Sequence, residues 1–374
     1  MNERRRIPVA APIIGGNEKA YVMDCLESTW ISSTGEYVER FETGFAEFCG
    51  VEHAISCSNG TTALHLALLA LGLGPGDEVI VPTLTFVATA NAVSYCGARP
   101  VFVDSEPGTW NIDPQLIEEK VTPRTKGIIA VHLFGHPADM DRILAVARRH
   151  GLFVVEDAAQ AHGAEYRGRR VGSLGDAATF SFFGNKIITT GEGGMVVTSD
   201  RALASRARRL RSHGMDPDRR YWFPVIGYNY RMTNVAAAIG VAQLERVDWQ
   251  IGRRLEVARW YRDRLRGVAG LEWQQEQDWA RHVWWMFSVV LGEVCPVERD
   301  LVMARLGEIG VETRPVVWPM HRLPAYQESG AGTFPVADRL AERGINLPTW
   351  AGVTRDDVAY VSDGLIEALS VEAH

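Results

Sequence analysis

Between about residues 50 and 200, short runs rich in Val and Ile alternate with amphipathic stretches, and this alternation restricts the chain more than any other feature. It predicts strands over Glu78–Val81, Pro100–Val103, Gly127–His132, Leu152–Val155, Ala177–Phe183 and Met195–Thr198. Helical periodicity lies between several of them, over Thr61–Leu71, Phe86–Cys96 and Asp139–His150. Strands this apolar need cover on both faces, and helices between strands provide it, so the expected fold is α/β with a mostly parallel sheet flanked by helices. Ligands of such sheets sit just past the carboxyl ends of the strands.

Beyond this region the pattern changes. Residues 234–268 read as one or two long helices. A strand is expected over Val283–Leu291, a helix over Arg299–Ile309, a strand over Val311–Val317 and a helix over Asp356–Leu369, with 274–281 as polar loop. At 374 residues the chain exceeds one ordinary domain. A large lobe over 1–250 and a smaller α+β lobe over 251–374 are expected, and the extreme N-terminal segment can pack on the smaller one.

Several function classes are disfavoured. The net charge is −7 without a basic block, and the pairs Arg148–Arg149, Arg208–Arg209 and Arg219–Arg220 fall on helix-like segments with acids nearby, which argues against nucleic acid. Five cysteines, an odd number with no CxxC, read as reduced thiols of a cytoplasmic protein. Ten histidines without HExxH spacing give no metal site. No apolar run is long enough to span a bilayer, and no apolar segment follows the basic N-terminus.

Only four lysines are present, and Lys186 alone lies between an aromatic-rich strand and a glycine cluster (Gly191, Gly193, Gly194). An amine half-hidden among aromatics loses part of its preference for charge and can attack a carbonyl, which is what a Schiff-base lysine requires. Ser58-Asn59-Gly60-Thr61-Thr62 precedes a helix. Free amides there suit a phosphate, although a plain N-cap reads the same way. Glu156 and Asp157 end a buried strand. Asp157 either caps the next segment or pairs with a protonated ring nitrogen, and Glu156 takes a supporting role. Phe86 either stacks on a flat ring or packs in the core, and Ser181 either bonds a phosphate or satisfies backbone.

Taken in chain order, SNGTTALHLAL (58–68), GDEVIVPTLTFVATANAV (76–93), VEDAAQAHGA (155–164), SFFGNKIITTGEGGMV (181–196) and GYNYRMTN (227–234) resemble the sugar aminotransferases of the DegT/DnrJ/EryC1/StrS family. The likeness runs from about Ile7 to the C-terminus. It implies a fold-type-I transferase dependent on pyridoxal 5'-phosphate (PLP), which alternates with pyridoxamine 5'-phosphate. By that resemblance Lys186 carries the cofactor covalently, Asp157 pairs with its ring nitrogen, Phe86 stacks on the ring and Gln160 touches the ring hydroxyl. Gly60, Thr61 and Ser181 hold the phosphate, and Asn229 reaches the cofactor phosphate of a neighbouring subunit, making a homodimer with shared active sites. Family relatives with histidine at the lysine position are dehydratases, and Lys186 argues against that branch.

The implied donor is L-glutamate, released as 2-oxoglutarate, and the acceptor is a nucleotide-diphospho keto-sugar. Within that family the resemblance of Ser28–Ser33, 214–234 and 314–321 implies a GDP-linked 4-keto-6-deoxy sugar aminated at C4. The alternative is a dTDP-linked keto-deoxysugar or a 3-keto isomer, and a remote one is a non-catalytic regulatory protein on the same fold. Trp30, Arg219, Arg220 and Tyr221 either clamp the nucleotide or form an exposed loop. Arg314 and His321 either bind a substrate or are structural.

Overall fold

The computed structural model describes residues 5–370, apart from 328, 330 and 331. Eleven α-helices are found among the described residues: α1 (Glu18–Glu27), α2 (Glu36–Cys49), α3 (Gly60–Ala70), α4 (Ala88–Tyr95), α5 (Met140–His150), α6 (Arg201–Arg211), α7 (Asn234–Leu244), α8 (Val247–Leu265), α9 (Arg299–Glu308), α10 (Pro335–Arg343) and α11 (Arg355–Ser370). The central sheet contains β1 (His53–Cys57), β2 (Glu78–Pro82), β3 (Arg99–Val103), β4 (Thr125–Val131), β5 (Phe153–Asp157), β8 (Ala177–Ser181) and β9 (Gly194–Thr198). Its order is β1-β9-β8-β5-β4-β2-β3. β9 alone runs against the others, pairing antiparallel with both β1 and β8. Every residue of β2, β8 and β9 is buried, which is why those runs read as continuous apolar segments rather than as alternation.

The chain then builds two smaller sheets. A hairpin of β6 (Glu165–Tyr166) and β7 (Arg169–Arg170) is extended by β11 (Ala280–Arg281). β10 (Leu271–Trp273), β12 (Phe287–Leu291), β14 (Gly344–Leu347) and β13 (Arg314–Pro315) form a four-stranded antiparallel sheet in that order. The expected strand over Val311–Val317 is only two residues long, with Val316 N–H donating one further bond to Gly344 O at 3.0 Å. The polar stretch 274–281 contributes the short β11.

Two apolar cores meet along α8. Val247 and Ile251 at its start pack into the core beneath the central sheet. Val257, Ala258, Tyr261 and Leu265 pack into a second core under the four-stranded sheet. The sequence-based boundary at residue 250 therefore falls inside one unbroken helix. The first core also takes in Trp285, Val316 and Met320 from the C-terminal third. Ile7 bridges to Val311 and joins the second core. No described helix is long and apolar enough to cross a membrane.

Candidate active site

Asp157 is the last residue of β5, paired in register with Thr179 of β8. Two residues beyond Thr179, the chain leaves β8 at Ser181 and turns through Gly184 and Asn185 to Lys186. Acid and amine are thus delivered from adjacent parallel strands at the sheet's carboxyl edge. Lys186 is half-buried by surface area, yet its surroundings are dense enough that lost hydration lowers its pKa to about 8, with the Asp157 charge pulling it back up. Its Nζ lies 4.1 Å from the centre of the Trp285 ring. Burial pushes the Asp157 carboxyl up, opposed by the Thr89 hydroxyl, the Ala159 amide and the charge of Lys186. Thr89 Oγ1 donates to Asp157 Oδ2 at 2.7 Å, and the Thr85 and Thr89 hydroxyls lie 2.9 Å apart. Thr89 sits on α4, which therefore orients the acid from a second element.

Asn59 caps α3, accepting from Thr62 N–H at 2.9 Å in a reciprocal capping box. That leaves the amides of Gly60 and Thr61 at the helix start without an intrahelical partner. Gly60 is required here, since a Cβ would lie 2.7 Å from Cβ of Ser181. The hydroxyl of Ser181 thereby sits against the helix N-terminus, and the two free amides plus one O–H form an anion cradle. Gln160 is buried, and its Oε1 accepts from Phe134 N–H at 2.7 Å. Because a backbone N–H demands an acceptor, the amide orientation is fixed and Nε2 is the end left to donate. Phe86 is 58% exposed just before α4, so its ring is a face rather than core. These residues fit PLP: an amine of low pKa, a buried acid, a cradle for an anion, an amide donor and an open aromatic face.

Glu156, beside Asp157 on β5, is closed off. It accepts from Gly172 N–H at 2.9 Å, Leu174 N–H at 2.8 Å and Gly175 N–H at 2.9 Å. It also pairs with His132 Nε2 at 2.9 Å. Since His132 Nδ1 accepts from Ala138 N–H at 3.0 Å, Nε2 carries the hydrogen. Burial alone would raise Glu156, but His132 and these amides hold it below the usual range.

The residues proposed for the sugar do not converge on this centre as closely. Arg219, Arg220 and Tyr221 lie outside any helix on a loop over 213–231, where Tyr221 is 72% exposed. Arg219 stacks on Trp222 at 4.2 Å and Arg220 on Tyr221 at 5.0 Å. The loop returns past Asn229, which is exposed and bridges to Ser212, and Tyr230 O accepts from Ser58 N–H at 2.8 Å beside the cradle. Trp30 is exposed, and its carbonyl accepts from Asn234 Nδ2 at 2.7 Å. Arg314 is exposed and 3.3 Å from Glu312. His321 has both ring nitrogens engaged, Nδ1 with Thr83 Oγ1 at 2.8 Å and Nε2 with Asp338 Oδ1 at 3.1 Å. No group of three or more metal-ligating side chains occurs among the described residues. Thr89 and Trp285 were not anticipated from sequence. The Thr85–Thr89 spacing of four was a usable signal for the first, and nothing local marks the second.

Comparison with known proteins agrees with this geometry. GDP-perosamine synthase of Caulobacter vibrioides is 54% identical over 370 residues, covering 99% of this chain and 100% of that protein. GDP-perosamine synthase of Escherichia coli O157:H7 is 48% identical, covering 97% and 99%. The solved PLP form of the putative sugar aminotransferase Spr1654 from Streptococcus pneumoniae superimposes with a TM-score of 0.92 at 27% identity, covering 97% and 98%. Residues 12–366 match one family along almost their whole length, and the chain belongs to the DegT/DnrJ/EryC1/StrS aminotransferase family.

Proposed function

We propose that this enzyme binds PLP and transfers the amino group of L-glutamate to C4 of a nucleotide-linked 4-keto-6-deoxy sugar, with GDP-4-dehydro-6-deoxy-D-mannose giving GDP-perosamine. The observation that carries the reading is the delivery of the Asp157 carboxyl and the Lys186 amine from adjacent parallel strands to one end of the sheet, beside the α3 anion cradle. The two GDP-perosamine synthases, alike over essentially the full chain, support the choice of sugar.

When bound, PLP supplies an electron sink for the charge left on the donor's α-carbon. Lys186 would hold the cofactor covalently, and its neutral amine would be placed to accept the proton from the donor's α-carbon. A pKa of about 8 leaves a useful fraction of the amine neutral near physiological pH. Asp157, hydrogen-bonded by the Thr89 hydroxyl and the Ala159 amide, would pair with the ring nitrogen and favour its protonated form. Gln160 Nε2 would donate to the ring hydroxyl, Phe86 would cover one ring face, and Gly60, Thr61 and Ser181 would bind the phosphate. Asn229, on the exposed loop, reaches into a second copy, so a homodimer completes two sites. Arg219, Arg220, Tyr221 and Trp30 meet the nucleotide, with Arg314 and His321 as peripheral contacts. The large-lobe and small-lobe division at residue 250 belongs to the same reading.

Borohydride treatment of the cofactor-loaded protein, followed by peptide mapping, is expected to fix the label on Lys186 alone. A label elsewhere overturns the assignment. Turnover of GDP- and dTDP-linked 4-keto-6-deoxy sugars with glutamate, with the product carbon assigned by NMR, tests the acceptor. Robust reaction of the dTDP sugar and none of the GDP sugar removes the first choice.

A further inference from the structure

We propose that Trp285 is a positioning residue for Lys186, its indole roofing the amine while its N–H fixes the turn that carries the lysine. The ring face stands 4.1 Å from Lys186 Nζ. The indole Nε1 donates to Asn185 O at 2.8 Å, one residue before the lysine. Trp285 is itself held from several sides. Its N–H donates to Phe134 O at 2.9 Å, its carbonyl accepts from Arg254 Nη1 at 3.0 Å, and its ring stacks on Phe134 at 6.3 Å and 20°.

Two features mark this contact as built rather than incidental. Trp284 and Phe134 adopt φ of 49° and 55°, left-handed values that bulky residues rarely hold. Such backbone persists where the surroundings over-determine it, and these two residues flank or contact Trp285. Arg254 is 2% exposed, and its hydrogen bonds go to the carbonyls of Trp285 and Thr349 rather than to a carboxylate. A buried guanidinium directed at backbone oxygens serves to hold them in place. Phe134 also donates its N–H to Gln160 Oε1, so one strained residue braces Gln160 on one side and the Lys186 roof on the other.

The inference rests on Lys186 being the reacting amine. The groups that face its charge are Asp157 from β5 and the Trp285 ring, while the lysine charge in turn lowers the nearby buried His162; Arg254 is bonded to the Trp285 carbonyl. Removing the roof lets water reach the amine, and the return of hydration outweighs the lost cation–π contact.

The test is competitive acetylation of the cofactor-free full-length chain, read by peptide mass spectrometry with Lys19, Lys120 and Lys126 as internal references. Lys186 is expected to reach half-reactivity near pH 8 in the parent chain. In Trp285→Gln and Trp285→Ala that midpoint rises by about one unit, whereas in Trp285→Phe, which keeps a ring, it moves by less than about 0.3 unit. In the loaded enzyme the Gln variant loses about 10-fold in kcat with little change in KM for the donor. An unchanged midpoint in Trp285→Gln overturns the proposal, as does an equal shift in Trp285→Phe. Borohydride labelling that misses Lys186 removes the functional reading alone, because the acetylation midpoints report on the contact whatever Lys186 does.

Discussion

Glu156 and Asp157 are neighbours on one strand and have opposite fates. Alternation along β5 sends them to opposite faces of the sheet. Glu156 meets a histidine and three backbone amides and is held below its ordinary pKa. Asp157 meets one threonine hydroxyl and a longer contact from Ala159 N–H at 3.3 Å, and burial pushes it up. A carboxylate whose lone pairs are filled by the protein stabilises the fold. One left underfilled beside a desolvated amine costs stability and is available to a ligand. The difference separates structural acid from working acid more clearly than residue type or position does.

The largest expected effect falls on the working side. Lys186→Ala is expected to lower kcat by at least about 10³-fold, measured with the keto-sugar and glutamate under saturating cofactor. Asp157→Asn should cost about 10²-fold in kcat while leaving the thermal midpoint of the cofactor-free protein equal or higher, because an underfilled buried charge is gone. Glu156→Ala should do the reverse. It strands His132 and three amides, and denaturant titration should show a loss of about 3–5 kcal/mol. A Glu156 variant with full stability, or an Asp157 variant that unfolds readily, would break the contrast.

A pH series sharpens it. Lys186 titrates at about 8 in the folded chain against 10.5 unfolded. Between those values the unfolded state binds more protons, so stability rises with pH across that window and the lysine is a burden below it. Lys186→Met should therefore stabilise the cofactor-free chain at pH 7 by about 1–2 kcal/mol, a gain that disappears by about pH 10. The smallest effect is expected at the exposed loop. Arg219→Ala should raise KM for the nucleotide sugar about 5-fold and change stability by less than about 0.5 kcal/mol.

Legibility in the sequence followed the range of the interactions. Six of the seven strands of the central sheet were readable because each is a local apolar run, whereas β1 (His53–Cys57, HAISC) at its edge was missed, and Lys186 and Asp157 stood out because of their own neighbours. The four-stranded sheet was read only in part, since its strands are two to five residues long and draw their apolar cover from α8, α9 and α11. Trp285 was invisible for a related reason. It reaches Asn185 across 100 residues of chain, and one tryptophan among eleven carries no local mark. His321 shows the converse. Its setting in a proline-rich stretch left it either a substrate contact or structural, and only the folded chain shows both its ring nitrogens engaged, by Thr83 and Asp338.

The course of α8 has a mechanical consequence. A single helix with its first turns seated in one core and its later turns in the other couples the two through one backbone ladder. Heat should therefore melt both halves together, giving one calorimetric peak where two loosely joined bodies would give two.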